Sequence, residues 1–215
     1  MTKPNLVTRF HIAMLAAITG VTATAIYKIP AGDGLVMHWD AHGQPDWLWP
    51  RDLAFAVVPT LAVILVAAFA IGGMLTPKGR LEMARHILEP ALTWVLGLGL
   101  AIQVGLLALG MGSDFDIIRI VAFAAAAGLL LLGILLREAE RHTYAGLRLP
   151  WGMRDDGVWR RTHQIAGWTY IAGAVVLAAL AWLQPFPAVL VITMPLILVI
   201  PVTVARLASL GAGKA

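Results

Sequence analysis

Two stretches of this chain gather the residue types that carry chemistry. The first reads His38-Trp39-Asp40-Ala41-His42-Gly43-Gln44-Pro45-Asp46-Trp47. Imidazoles and carboxylates at this density are the donor set of a divalent metal site, with His38, His42 and Asp46 as candidate ligands. A tight site needs three or four ligands in a defined geometry. His38 and His42 share a face only if the segment is helical, and Gly43 and the Pro45-Asp46 pair are turn formers that argue against a helix. The other reading is a hydrogen-bonded cap. There the His and Asp side chains, Asp40 among them, tie down loop backbone while Trp39 and Trp47 anchor in lipid.

The second stretch runs from Gly146-Leu147-Arg148-Leu149-Pro150-Trp151 through Asp155-Asp156 to Trp159-Arg160-Arg161-Thr162-His163. Asp155 and Asp156 stand where a helix begins and can cap its free N–H groups. Trp159 and Arg160 then fall in its first turns, giving an amphipathic helix start with basic residues toward anionic lipid. That reading leaves the Gly146-to-Trp151 element unexplained.

The elements that must position these stretches are apolar. Hydrophobic residues make up 60% of the 215, and charged residues only 13%. A soluble domain carries about 25% charge, so the deficit and the mean hydropathy of +0.81 point to a membrane bundle. About 20 apolar residues cross the hydrocarbon as a helix. Six segments qualify: Phe10 to Tyr27, Leu53 to Leu75, Pro90 to Met111, Ile117 to Leu136, Ile165 to Leu183 and Phe186 to Leu207. Pro90 suits a helix first turn, and Pro195 and Pro201 are expected to interrupt the sixth helix. The first segment is expected to be retained as a helix, with no small-residue cleavage site after it. The fold class is all-α, a six-helix polytopic bundle forming a single membrane domain over residues 1–215. It carries one long loop at 28–52 and another at 137–163. Loops beyond about 12–15 residues tend to be functional or disordered, and these two, rich in Trp, Gly and Pro, are expected to be ordered.

Thirteen of the 16 Lys and Arg fall on one side of this alternation; Lys28, Arg51 and Arg119 fall on the other. By the positive-inside rule the termini lie in the cytoplasm and the 28–52 loop lies outside. Trp39, Trp47, Trp49 and Trp182 then mark the outer interface. Trp151, Trp159, Trp168 and, near the end of helix three, Trp94 mark the inner one. His11 and Arg206 lie close enough to span ends to snorkel. No Asp, Glu, Lys or Arg falls near a midplane, which weighs against an ion-coupled pump. Gly97, Gly99, Gly105, Gly110 and Gly112 give helix three small residues for close packing. The chain has no cysteine, which excludes disulfides and thiolate metal sites, and no cofactor is expected.

Gly146-x-Arg148-x-Pro150-Trp151, followed by Trp159, Thr162-His163 and Gly167, resembles the signature of the SdpI-type immunity proteins. These are bacterial membrane proteins that protect a producer cell from its own membrane-active peptide toxin. Ile29-Pro30 and His38-Trp39-Asp40-x-x-Gly43-x-x-Asp46 resemble the loop module that commonly precedes that signature, with Asp40 where the family usually has Asn and Leu149 where it usually has Thr. The resemblance covers most of the chain. It implies an inner-membrane immunity protein whose outer face meets a peptide toxin. It also implies a signalling role in which the basic inner loop around Arg148, Trp159 and Arg160 holds a cytoplasmic repressor protein, without direct nucleic-acid contact. The residues themselves leave a small transporter or channel open, on the strength of Pro195, Pro201 and Gln103. An enzyme is not expected, because the spans hold no nucleophile paired with a base. The sequence leaves the oligomeric state open.

Overall fold

A computed structural model of the chain describes residues 5–32, 34–40, 42, 44–114, 116–138, 155–183 and 186–212. Six helices long and apolar enough to cross a membrane are present among them. They are α1 (Arg9–Lys28), α2 (Arg51–Leu75), α3 (Lys78–Gly110), α4 (Ile117–Arg137), α5 (Asp156–Leu183) and α6 (Pro187–Ala212). Between α1 and α2 stand two short strands, β1 (Gly34–Trp39) and β2 (Pro45–Pro50), paired antiparallel. The helices form two trios. α1, α2 and α3 pack on one another, α4, α5 and α6 do the same, and α3 against α4 is the joint between the trios.

The C-terminal trio is close-packed because its facing residues are small. Along α5 the buried positions Trp159, Thr162, His163, Ala166, Gly167, Tyr170, Ala174, Leu177 and Ala181 recur every three or four residues, the spacing of one helix face. Ala122, Ala126 and Gly133 of α4 are buried opposite. At Gly133 and Gly167 the backbones meet directly: a Cβ on Gly167 would sit 2.7 Å from Gly133 O, and one on Gly133 would sit 2.7 Å from Gly167 O. Packing of small residues is what holds helices together when lipid removes the hydrophobic incentive between them.

Four expectations about the helices need correction. α3 begins at Lys78, not near Pro90, which lies inside the helix. The residues ahead of Pro90 mix charged side chains with Leu81, Ala84 and Ile87, which are buried, so the helix continues amphipathically beyond the apolar segment. α6 runs unbroken through Pro195 and Pro201. Membrane helices tolerate proline, and Tyr170 Oη of α5 donates to Leu198 O, one residue after the carbonyl of Ile197 that Pro201 leaves without a helical donor, at 3.1 Å. Trp94 is no interfacial anchor. Its Nε1 donates to Ala124 O of α4 at 2.9 Å, and its ring occupies the space a Cβ on Gly128 would need. His11 does not snorkel, being wholly buried. The Thr8 backbone N–H donates to its Nδ1 at 3.0 Å, and its Nε2 meets Thr93 Oγ1 of α3 at 2.8 Å. With Nδ1 accepting, the neutral ring carries its proton on Nε2 and donates to Thr93. Thr8 and His11 together form a capping box for α1, satisfying donors that a helix N-terminus leaves free.

Of the glycines ascribed to helix three, Gly99 lies close to Val58 and Gly110 abuts Ile29, which is the expected close packing. Gly112 lies past the helix end with φ of 79°. Ser113 N donates to Ala108 O and Gly112 N to Leu109 O, the Schellman arrangement that a glycine in the left-handed region allows.

Candidate functional site

The 28–52 segment folds as a hairpin rather than as an irregular interfacial loop. Its register is irregular on both sides of His38, and the outward face is interrupted by Pro45 and Pro50, residues confined to strand starts and edges. That mixture hid the two-residue alternation from the sequence. Leu35 is buried, and Met37, Trp39 and Trp49 pack on a core with Phe55 of α2, Leu106 of α3 and Ile117 of α4. The hairpin is therefore attached to three helices and not suspended above them.

Arg51, which the sequence reading counted only as one of three cations on this side, fixes the hairpin's base. It is largely buried and donates through Nη1 to Ile26 O at 3.0 Å and to Ile29 O. It also pairs with Asp52 at 2.6 Å. Those two carbonyls belong to the end of α1, where a cation meets the negative pole of the helix. An arginine directly after a Trp-Pro pair carried no signal that it reaches back 25 residues.

The predicted outer residues form two pairs. His38 Nδ1 lies 2.6 Å from Asp46 Oδ1 across the strands, with both side chains solvent-accessible. At the tip, Asp40 Oδ1 accepts from His42 N and Gln44 N, each at 2.8 Å, and Asp40 N donates to Gln44 O at 2.9 Å. His42 Nδ1 lies 3.4 Å from Asp40 Oδ2. Among the described residues no group of three or more His, Asp or Glu comes together in a metal-holding arrangement. The geometry is that of a side chain closing a turn on its own backbone. Trp47 is exposed and stands edge-on to Trp49 at 5.7 Å between ring centres. Gly43 lies outside the described residues.

The Asp40 carboxyl is held below its ordinary 3.8. The Gln44 N–H is the main cause, partial desolvation opposes it, and the His42 N–H and imidazole add to the lowering. A carboxylate with a depressed folded pKa contributes stability above its unfolded value and loses it as pH falls through the folded one. The carboxylate's contribution to the tip turn is thus fully present above about pH 3.8 and is lost as pH falls below that through the lowered folded value. Asp40→Asn keeps the accepting oxygen but has no proton to gain. Hydrogen-exchange protection of the His42 and Gln44 amides is expected to collapse in acid in the natural chain and to be pH-independent in Asp40→Asn. Equal acid loss in both would move the cause elsewhere.

The described part of the inner signature, Trp159, Thr162 and His163, lies at the start of α5, at the opposite end of the bundle. Gly146, Arg148, Pro150 and Trp151 fall outside the described residues. Asp155 does cap α5, its Oδ2 accepting from Val158 N at 3.1 Å. Trp159, Thr162 and His163 are buried, while Arg160 and Arg161 are exposed. Trp159 is therefore not the headgroup anchor expected of it. Its ring stacks on His163 at 4.0 Å, and His163 Nδ1 lies 2.9 Å from Trp159 O. At the next turn Arg137 of α4 lies over the Trp168 ring at 4.0 Å, a cation–π contact that closes the α4–α5 crossing. The structure thus brings His38 to Asp46, Asp40 to His42, and Trp159 to His163, at two ends of one bundle.

Six spanning helices, a capped hairpin at one end and a basic opposite end define a multi-pass membrane protein. Residues 138–207 match the SdpI/YfhL protein family. The chain is also similar to the immunity protein SdpI of Bacillus subtilis (strain 168), with 22% identity over 170 residues, which is 79% of either chain. Both similarities support the SdpI-type family for this chain. No solved structure matches it.

Proposed function

We infer that this protein is a bacterial inner-membrane immunity protein that protects against a membrane-active peptide toxin, with the hairpin outside and the termini in the cytoplasm. The observation that carries this reading is the similarity to an immunity protein over four-fifths of the chain, joined to a hairpin that presents exposed Trp47 and Leu48 at one membrane face. The candidate outer site is His38, Asp40, Gly43, Asp46 and Trp47. The candidate inner site is Gly146, Arg148, Pro150, Trp151, Trp159, Thr162 and His163. A cytoplasmic repressor held at the inner site would make the protein a receptor as well. The reading is non-enzymatic, and the whole chain acts as one membrane domain.

Survival tests the function. A sensitive bacterium expressing the chain is challenged with a panel of membrane-permeabilising peptides, beside His38→Ala and Arg148→Ala at matched expression. Protection in the natural chain, lost in one variant, supports the reading and locates the mechanism at that end. Failure to protect against any peptide removes its support. Orientation has its own test, helped by the absence of cysteine. His42→Cys is expected to react with a membrane-impermeant maleimide on intact cells, and Lys78→Cys only after lysis. The reverse pattern would invert the topology.

A further inference from the structure

Between the two helix trios, under the hairpin, lies an apolar crevice of about 310 Å³. Met37 and Trp39 of β1 roof it, Ile102 and Leu106 of α3 and Val121 of α4 form its walls, and Met194 of α6 closes it. Among the described residues the backbones of α3 and α6 do not approach closely, and the crevice lies between them. Its size falls at the lower end of ligand pockets, which run from about 300 to 1,000 Å³. Two methionines among its walls give a surface that adapts to irregular apolar shapes.

The rim has the opposite character. The described residues at the hairpin end include Asp40, Asp46, Asp52, Asp114 and Asp116 against Lys28, Arg51 and Arg119, a net charge of −2, while the whole chain is +4. The cations are engaged: Arg51 with Asp52 and two carbonyls, Arg119 with Asp116 at 3.3 Å, and Lys28 over the Tyr27 ring at 5.4 Å. Asp116 directly precedes Ile117 and Ile118, which line the crevice, and Asp114 stands two positions further back. An apolar slot beside an acidic rim matches an amphipathic peptide whose polar side is cationic, since complementary potentials favour and steer association. Resting on the immunity reading above, we propose that this crevice is the peptide-binding site. It takes a large apolar side chain of a cationic amphipathic peptide, and the exposed Asp114 faces the peptide's lysines or arginines.

The test uses the full chain in phosphatidylcholine nanodiscs, which carry no net lipid charge. The probe is an 18-residue Leu/Lys amphipathic helix (on the order of the length that forms a stable helix on binding), with one brominated phenylalanine in its apolar face. Bound peptide is expected to quench Trp39, seen as quenching that Trp39→Phe removes. Val121→Trp, which fills the slot, is expected to weaken binding by about tenfold or more, the loss for one large apolar side chain left without a pocket. Asp114→Lys, on the rim and outside the core, is expected to weaken binding and flatten its salt dependence. It keeps the proposal testable if Val121→Trp does not fold. Undiminished binding in both variants overturns the proposal. So does quenching of Trp39 by brominated lipid that peptide does not displace, which would assign the crevice to an acyl chain. The survival assay separates the two readings. Protection that persists in Val121→Trp removes the crevice and leaves immunity standing, whereas crevice binding without protection in any strain removes immunity and leaves the site.

Discussion

Gly167→Leu is expected to prevent α4 and α5 from closing, with loss of most folded protein after detergent extraction. The reason is what a side chain there would meet. Its first carbon would lie 2.7 Å from Gly133 O and 2.5 Å from Arg137 Cγ. The arginine side chain can yield, but the carbonyl belongs to a helix backbone and yields only if the helices separate. Overpacking a tight site costs about 1–3 kcal/mol when rotamers can adjust and more when backbone must move. The α4–α5 crossing also carries the Arg137–Trp168 contact, so separation loses more than the glycine pair. Gly133→Leu should behave alike, meeting Gly167 O and Ile171 N. Gly20→Ala is the matched control, since nothing lies within 4 Å of its added carbon, and helix propensity alone should make it neutral or slightly stabilising. Fluorescence-detected gel filtration and thermal midpoints compare them. A Gly167→Leu protein that elutes and melts like the natural chain would mean that the crossing is not as close as the backbone places it.

The spans were legible in the sequence because membranes leave one solution: about 20 apolar residues must be helical, and charges must stay out. Four of the six segments were located within about five residues at each end, while α3 and α5 begin well before Pro90 and Ile165, at Lys78 and Asp156, because their charged first turns carry little hydropathy signal. What sequence could not show is which polar residues inside the spans meet. His11 stands at the very start of an apolar run and looks like a residue that reaches outward, yet its partner Thr93 is 82 positions away. The hairpin was hidden for a related reason. β1 and β2 are only six residues each, and β2 lies mostly exposed, so no alternation of buried and exposed positions marks it. The His and Asp residues of the hairpin stand as two pairs and not as one cluster. Their pairing, His38 with Asp46 and Asp40 with the tip backbone, depends on a register that residue types do not encode.

Gln103 gives the second large effect, and it turns on a proline. Pro59 sits inside α2 and has no N–H, so the carbonyl four residues back, Phe55 O, receives no helical hydrogen bond. Gln103 Nε2 of α3 donates to that carbonyl at 3.2 Å and to Thr22 Oγ1 of α1 at 2.6 Å. One buried amide thus joins three helices. The sequence made Gln103 look like a solute-binding group, whereas its position explains it as the donor that Pro59 withholds. Gln103→Leu is expected to cost about 1–2 kcal/mol, because it strands a buried acceptor while interhelical hydrogen bonds in membranes average less. Thr22 does not add to this cost, since its hydroxyl donates to Ile18 O at 3.0 Å without help. In a Pro59→Ala background the restored amide serves Phe55 O itself. The same Gln103→Leu step should then be close to neutral or stabilising, because it also removes Gln103 Oε1, a buried acceptor without a partner. A double-mutant cycle on the four proteins reads the difference as a coupling of about 1 kcal/mol. Equal costs in the two backgrounds would show that Gln103 acts through packing or Thr22, and would return the residue to the list of candidates for solute contact.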